Sequence, residues 1–240
     1  MKKTILIIIA AMLLPSGAVF GDENTDQKQF EINPNSAKIE EISIPADELE
    51  ALVAKDREAQ EEAVSVSRGG GAGAVIDIAS NIVNLVDKTF KIIAKGQPVV
   101  NINTNYANAV PSNIKHWTQL QNWAGPRIRR YSFSVSNLYG MDVVKVVYQV
   151  HYNYGGNFKG RGRFLTGVTI EPISVYTLWG FNLDMTAEVP DSTIANVGTT
   201  ENPIASMQVQ LKWRVHSIIS DVQNKDIYYI RGDGYFKQIG

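Results

Sequence analysis

Hydrophobic and polar positions change their period along the chain, and the changes divide it into regimes. From Val99 to Gly240 the period is two. Tyr131, Phe133 and Val135 alternate with serines, and Val146, Tyr148, Val150, Tyr152 and Tyr154 alternate with Val147, Gln149, His151 and Asn153. Phe181, Leu183, Met185, Ala187 and Val189 form a third such row, and Met207, Val209, Leu211, Trp213 and Val215 a fourth. This alternation predicts antiparallel strands with one buried and one wet face. Breaks are expected at Asn137 to Gly140, at Gly155-Gly156, from Pro190 to Pro203 and at Asn224-Lys225. Half a dozen or more strands without intervening helices point to a β-sandwich or a closed barrel, and we take the sandwich as the expectation.

Upstream, Ala72 to Lys95 reads as a helix. Asp77, Ser80, Asn81, Asn84, Asp87, Lys88, Lys91 and Lys95 step by three or four, which leaves a wide apolar face. Gly96 and Pro98 end it. Asp47 to Val64 is also helical in style, with a narrow seam of Leu49, Leu52 and Val53. The polar stretch from Asp22 to about Pro45 has no periodic apolar face and reads as a disordered tether. The expected class is therefore mainly β: an antiparallel β-sandwich over 99–240, one amphipathic N-terminal helix over 69–98, and a disordered or helical acidic leader over 22–68.

The first 21 residues have the three parts of a secretory signal. Lys2 and Lys3 precede an apolar run from Ile5 to Leu14, and Pro15 and small residues follow. That run is too short to span a bilayer, so export to the periplasm or beyond the cell is expected. The chain has no cysteine, which excludes disulfides and thiol nucleophiles.

Charge refines the division. The overall net charge of −1 hides a leader of −8 and a rear portion, from Gly69 onward, of +5. A single Arg68 stands before Gly69-Gly70-Gly71, and exposed glycine-rich segments are favoured sites of proteolysis. Processing at Arg68 is therefore expected.

Candidate chemistry is sparse. His116, His151 and His216 are far apart and form no metal-ligand spacing, so no metal and no cofactor is implied. No nucleophile elbow, phosphate loop or dinucleotide fingerprint is present. Asp184 and Glu188 share a strand face, but nothing singles them out as a catalytic pair. An enzyme is unsupported. Lys159, Arg161 and Arg163 would share one face if extended, either meeting phosphates or merely guarding an edge strand. A net of +5 is too low for a typical nucleic-acid binder, so no nucleic acid is expected. Tyr228 and Tyr229 are adjacent, so in a strand one of them faces out, where a phenol suits a quaternary ammonium or a sugar ring. Arg231-Gly232-Asp233 reads as a tight turn.

Ala72 to Ser80, Ala-Gly-Ala-Val-Ile-Asp-Ile-Ala-Ser, resembles the mature N-terminus of the actinoporins, the pore-forming cytolysins of sea anemones, with Ile78 in place of their glycine. Asp226-Ile227-Tyr228-Tyr229 and Arg231-Gly232-Asp233-Gly234-Tyr235 resemble two of their C-terminal elements. The tyrosine spacing is longer than the family's, its Trp-Trp motif has no counterpart, and the chain stops sooner after Arg-Gly-Asp.

The resemblance implies an exported, membrane-acting and pore-forming sandwich without a cofactor. Tyr154, Tyr228 and Tyr229 would bind phosphocholine or anionic headgroups. Val75, Ile76, Ile82, Val83, Val86 and Phe90 would insert into lipid, and the chain would form a homo-oligomer. The alternative is an exported carbohydrate- or protein-binding sandwich whose helix is permanently packed as core.

Overall fold

The computed structural model describes residues 27–67, 82–83, 89–95, 101–103 and 106–240. Among them, alternation has become a pair of antiparallel sheets. One runs β1 (Lys38–Ile42), β6 (Ala124–Ser136), β7 (Asp142–Phe158), β8 (Arg161–Thr177), β5 (Ala107–Pro111) and β2 (Ile82–Val83). The other runs β13 (Phe236–Gln238), β12 (Asp221–Arg231), β11 (Ala205–His216), β9 (Asn182–Glu188), β3 (Thr89–Lys95) and β4 (Asn101–Asn103), with the two-residue β10 (Ala195–Asn196) beside β11. The α-helix among the described residues is α1 (Ala46–Ser67).

The alternating rows supply the core. Tyr131 is paired with Tyr148, Phe133 with Val146 and Val135 with Val144 across β6 and β7, and all six are buried. Leu183, Met185, Met207, Leu211 and Val215 answer them from the second sheet. The sheets meet face to face through rings: Phe133 lies 4.9 Å from Trp213, and Tyr131 lies 5.1 Å from Tyr228 between centroids. Burying such rings is the main favourable term in a chain without disulfides.

Several expectations need correction. Ile82–Val83 and Thr89–Lys95 are strands, paired with β5 and β9, rather than parts of a helix from Ala72 to Lys95. The stretch Thr-Phe-Lys-Ile-Ile-Ala-Lys is rich in residues that suit a pleated surface, and short apolar runs do not distinguish strand from helix. Residues 68–81 and 84–88, including Val75, Ile76, Val86 and Arg68, lie outside the described residues, as does the expected signal at 1–21.

The leader is not a plain tether from Gln27 onward. Ile32 is 2% exposed and joins the core, and β1 pairs with β6 from Lys38↔Ser134 to Ile42↔Arg130. Its polar side chains face water while its backbone satisfies the sheet edge, a role that needs no apolar period. The breaks also move. Gly155-Gly156 is a bulge inside β7, with Gly155 at φ 78°, and Asn224-Lys225 lies within β12. The turn between β11 and β12 is Ser217–Ser220 instead.

Candidate functional site

Three turns fall at one end of the sandwich: β6 turns into its partner β7 (Asn137–Met141), β11 into its partner β12 (Ser217–Ser220), and between them β8, paired with β7, crosses to β9, paired with β11, in the other sheet (Leu178–Phe181). Their sequences are Asn-Leu-Tyr-Gly-Met, Leu-Trp-Gly-Phe and Ser-Ile-Ile-Ser. Isoleucine, leucine and tryptophan are poor turn residues, so the polar residues around them must form the bends.

Asn137 does this in the first turn. Its buried side-chain Oδ1 accepts from the Tyr139 and Met141 amides at 3.1 and 3.0 Å, while Gly140 takes φ 77°. In the third turn the Ser217 amide donates to the Ser220 carbonyl at 2.8 Å. Ser217 Oγ accepts from the Ile219 and Ser220 amides at 3.3 and 3.1 Å. In the second, Gly180 sits at φ 86° and a Cβ there would lie 2.6 Å from the Phe30 ring.

Residues 29–32 of the leader tie the turns together. Asn137 Nδ2 donates to the Gln29 carbonyl at 2.9 Å, and the Leu138 amide donates to Glu31 at 3.0 Å. On the other sheet, Ser217 Oγ donates to the Phe30 carbonyl at 2.6 Å and the Ile32 amide donates to Ser220 Oγ at 3.1 Å. Phe30 also packs edge-on against Trp179, 5.8 Å between centroids.

The polar anchors turn inward with Phe181, and most of the other large apolar side chains turn out. Ile218 is 85% exposed, Trp179 73% and Ile219 50%. Leu138, Tyr139, Met141 and Tyr176 are each close to half exposed. Single exposed hydrophobics are unremarkable, but a cluster of them at one end marks an interaction site.

The charges beside the turns are paired. Lys145 lies 2.7 Å from Asp142, and its hydrogen bond, with one from Ser136, holds the Asp142 carboxyl below its usual value. Arg214 does the same for Asp221 at 2.5 Å. The surroundings therefore carry no concentrated cationic field.

The residues singled out from the sequence are placed elsewhere. Tyr228 is completely buried and its hydroxyl bonds that of Tyr148 at 2.5 Å, so it offers no face to a headgroup. Tyr229 points away on the outer face and meets Tyr235 edge-on at 6.2 Å. Tyr154 is half-buried under the Arg127 guanidinium, 4.8 Å from its ring.

Lys159 belongs to the turn that enters β8, at φ 51°, so the three cations do not share one extended strand. Arg161 is spent on the Glu201 carbonyl, while Arg163 and Tyr154 line one polar cleft of about 300 Å³ with Asn202 and Asp233. Arg231-Gly232-Asp233 is a tight turn closed by its own ion pair, as expected. His151 lies under α1 with Nε2 3.3 Å from Asp56. Among the described residues no three His, Asp or Glu side chains gather as a metal site requires, and no helix is long and apolar enough to cross a membrane.

The break at Asn137 to Gly140 is where it was expected, whereas the turns at Leu178–Phe181 and Ser217–Ser220, with few polar or glycine residues, were not anticipated. Their signal was present in Ser217-Ile218-Ile219-Ser220, an apolar pair enclosed by two serines. No protein-family model matches the chain, and comparisons with curated proteins and with solved structures find no match.

Proposed function

We propose that this is an exported membrane-binding protein that docks through the apolar turns at one end of its sandwich. The single observation that supports this is the convergence of Trp179, Ile218, Ile219, Tyr139 and Met141, all exposed, on turns whose bends are made by Asn137, Gly180 and Ser217. Tryptophan and tyrosine favour the level of the lipid headgroups, and isoleucine, leucine and methionine favour the acyl boundary beneath. The apolar run at Ile5 to Leu14 supports export.

A large apolar side chain moved out of water gains roughly 1.5–3 kcal/mol. Three of them acting together would supply on the order of 4–9 kcal/mol, the range of a millimolar to micromolar Kd. Preformed turns keep the ordering cost low.

This reading keeps the membrane-binding part of what the actinoporin resemblance implies and moves the contact away from Tyr154, Tyr228 and Tyr229. Insertion of Ile82, Val83 and Phe90 has no place in it, because those positions belong to sheet strands.

The test is co-sedimentation with vesicles of phosphatidylcholine, alone and with phosphatidylglycerol. Binding to both is expected, with little dependence on salt because the neighbouring charges are paired. Trp179→Ser combined with Ile218→Asp should weaken it at least tenfold. Protein that stays in the supernatant with both vesicles, or a double variant that binds unchanged, would overturn the proposal.

A further inference from the structure

A second cleft lies on the outer face of the first sheet, between α1 and the 3₁₀ turn Trp117–Gln119. It measures about 290 Å³ and is lined by Asp56 and Ala59 of α1, Tyr106, His116, Trp117, and Asn153, Thr166 and Gly167 of the sheet. That volume is at the lower end of the ~300–1,000 Å³ usual for small-molecule sites.

The walls are aromatic and supported from behind. Trp117 meets Trp123 edge-on at 6.2 Å, and Trp123 lies over Gly156, where a Cβ would come within 2.4 Å of the indole. His116 backs Trp117 on the other side, 5.4 Å between rings, and is itself fixed by a 2.9 Å contact from Nδ1 to Thr118 Oγ1. Tyr106 is 43% exposed and presents a second ring.

The floor and remaining wall are polar. Asn153 is 4% exposed, donates from Nδ2 to Asp56 at 3.3 Å, and has a buried Oδ1 without a partner. Thr166, also buried, donates to Asn108 Oδ1 at 2.7 Å. Gly167, at φ 60°, leaves the floor without a side chain.

We propose that this cleft binds a neutral saccharide of one or two rings. Aromatic faces suit the C–H faces of a pyranose, and an adjacent carboxylate and amide offer both acceptors and donors to neighbouring hydroxyls. Among the described residues that line it there is no lysine or arginine to attract an anionic ligand. The Asp56 carboxylate is already engaged by Asn153 and faces His151, so a cationic ligand gains little from it. The hydroxyls of a sugar add hydrogen bonds without adding charge.

The cleft is remote from the apolar turns, and its binding is measured free of lipid, so its test stands apart from that of the membrane reading. The full chain is titrated with methyl β-glucopyranoside, methyl α-mannopyranoside and N-acetylglucosamine, followed by calorimetry and by tryptophan fluorescence. Choline chloride and inorganic phosphate serve as charged probes.

Saturable binding of at least one sugar is expected, weakened tenfold or more in Asp56→Asn and in Trp117→Ala. Tyr106→Ala, at an exposed position, should weaken binding severalfold with an unchanged melting temperature, which guards against a variant that merely unfolds. Failure of every sugar to saturate, preferential binding of choline or phosphate, or sugar binding indifferent to all three variants would each overturn the proposal.

Discussion

The hydroxyls of Tyr148 and Tyr228 meet at 2.5 Å between the two sheets, in a place with no access to water. Burial pushes both phenols far above the ordinary tyrosine range. Each hydroxyl satisfies the other, so removal of one strands its partner. Tyr228→Phe should destabilise the fold by about 1–3 kcal/mol, and the double change Tyr148→Phe with Tyr228→Phe should recover most of that loss. Urea melts of Tyr228→Phe, Tyr148→Phe and the double variant check it, and additive losses would show that the hydroxyls do not act as a pair. Adjacent tyrosines in a strand must point to opposite faces, so one buried member at 228–229 was legible in the sequence. Which one is inside depends on the pairing of β12 with β11, where Tyr228 opposes Val209, and a long-range register leaves no local mark.

Much of α1 is exposed, with Leu52, Val53 and Asp56 among its less accessible residues, so apolar burial alone cannot hold it to the sheet. It is fastened by charge. Glu48 takes two hydrogen bonds from Arg130, at 2.7 and 2.9 Å, and Arg130 is 8% exposed. Two turns on, Asp56 meets His151 and Asn153. The hydrogen bond from Arg130 holds the Glu48 carboxyl below its ordinary value of 4.5. A depressed carboxylate stabilises the docked state above that value and loses its effect as pH falls through the lower, docked one. Protection of the Ala46–Ser67 amides, corrected for the intrinsic pH dependence of exchange, should therefore fall as pH drops below about 4.5, before the amides of β11 lose protection. Glu48→Gln should remove most of that dependence. If α1 and β11 lose protection together, α1 is an integral part of the fold and not a strap.

The helical style of Asp47 to Val64 was legible because its apolar seam is narrow and its charges are many. Thr89–Lys95 was not, because its apolar residues satisfy both periods and only the edge of β9 left open by β11 decides for a strand.

At the scale of the whole molecule, the apolar turns and the aromatic cleft are well separated. Asp142 opens β7 beside the turns, and Asn153, on the cleft floor, is eleven residues further along the same strand. At roughly 3.3 Å per residue that is about 35 Å of extended chain, more than the thickness of a bilayer's hydrocarbon core. A sandwich seated on its turns would thus hold the cleft well clear of the lipid, open to a soluble ligand.

The tryptophans make this orientation measurable. Trp179 lies at the turns, Trp117 at the cleft, and Trp213 is buried between the sheets. In variants that keep one of the three and carry Phe at the other tryptophans, vesicles with brominated acyl chains should quench Trp179 and leave Trp117 and Trp213 unchanged. Quenching falls off within a few ångströms, so Trp117 quenched as strongly as Trp179 would mean that the molecule lies on its side. The cleft would then face the membrane, and its ligand would have to be sought among lipid-borne sugars instead of soluble ones.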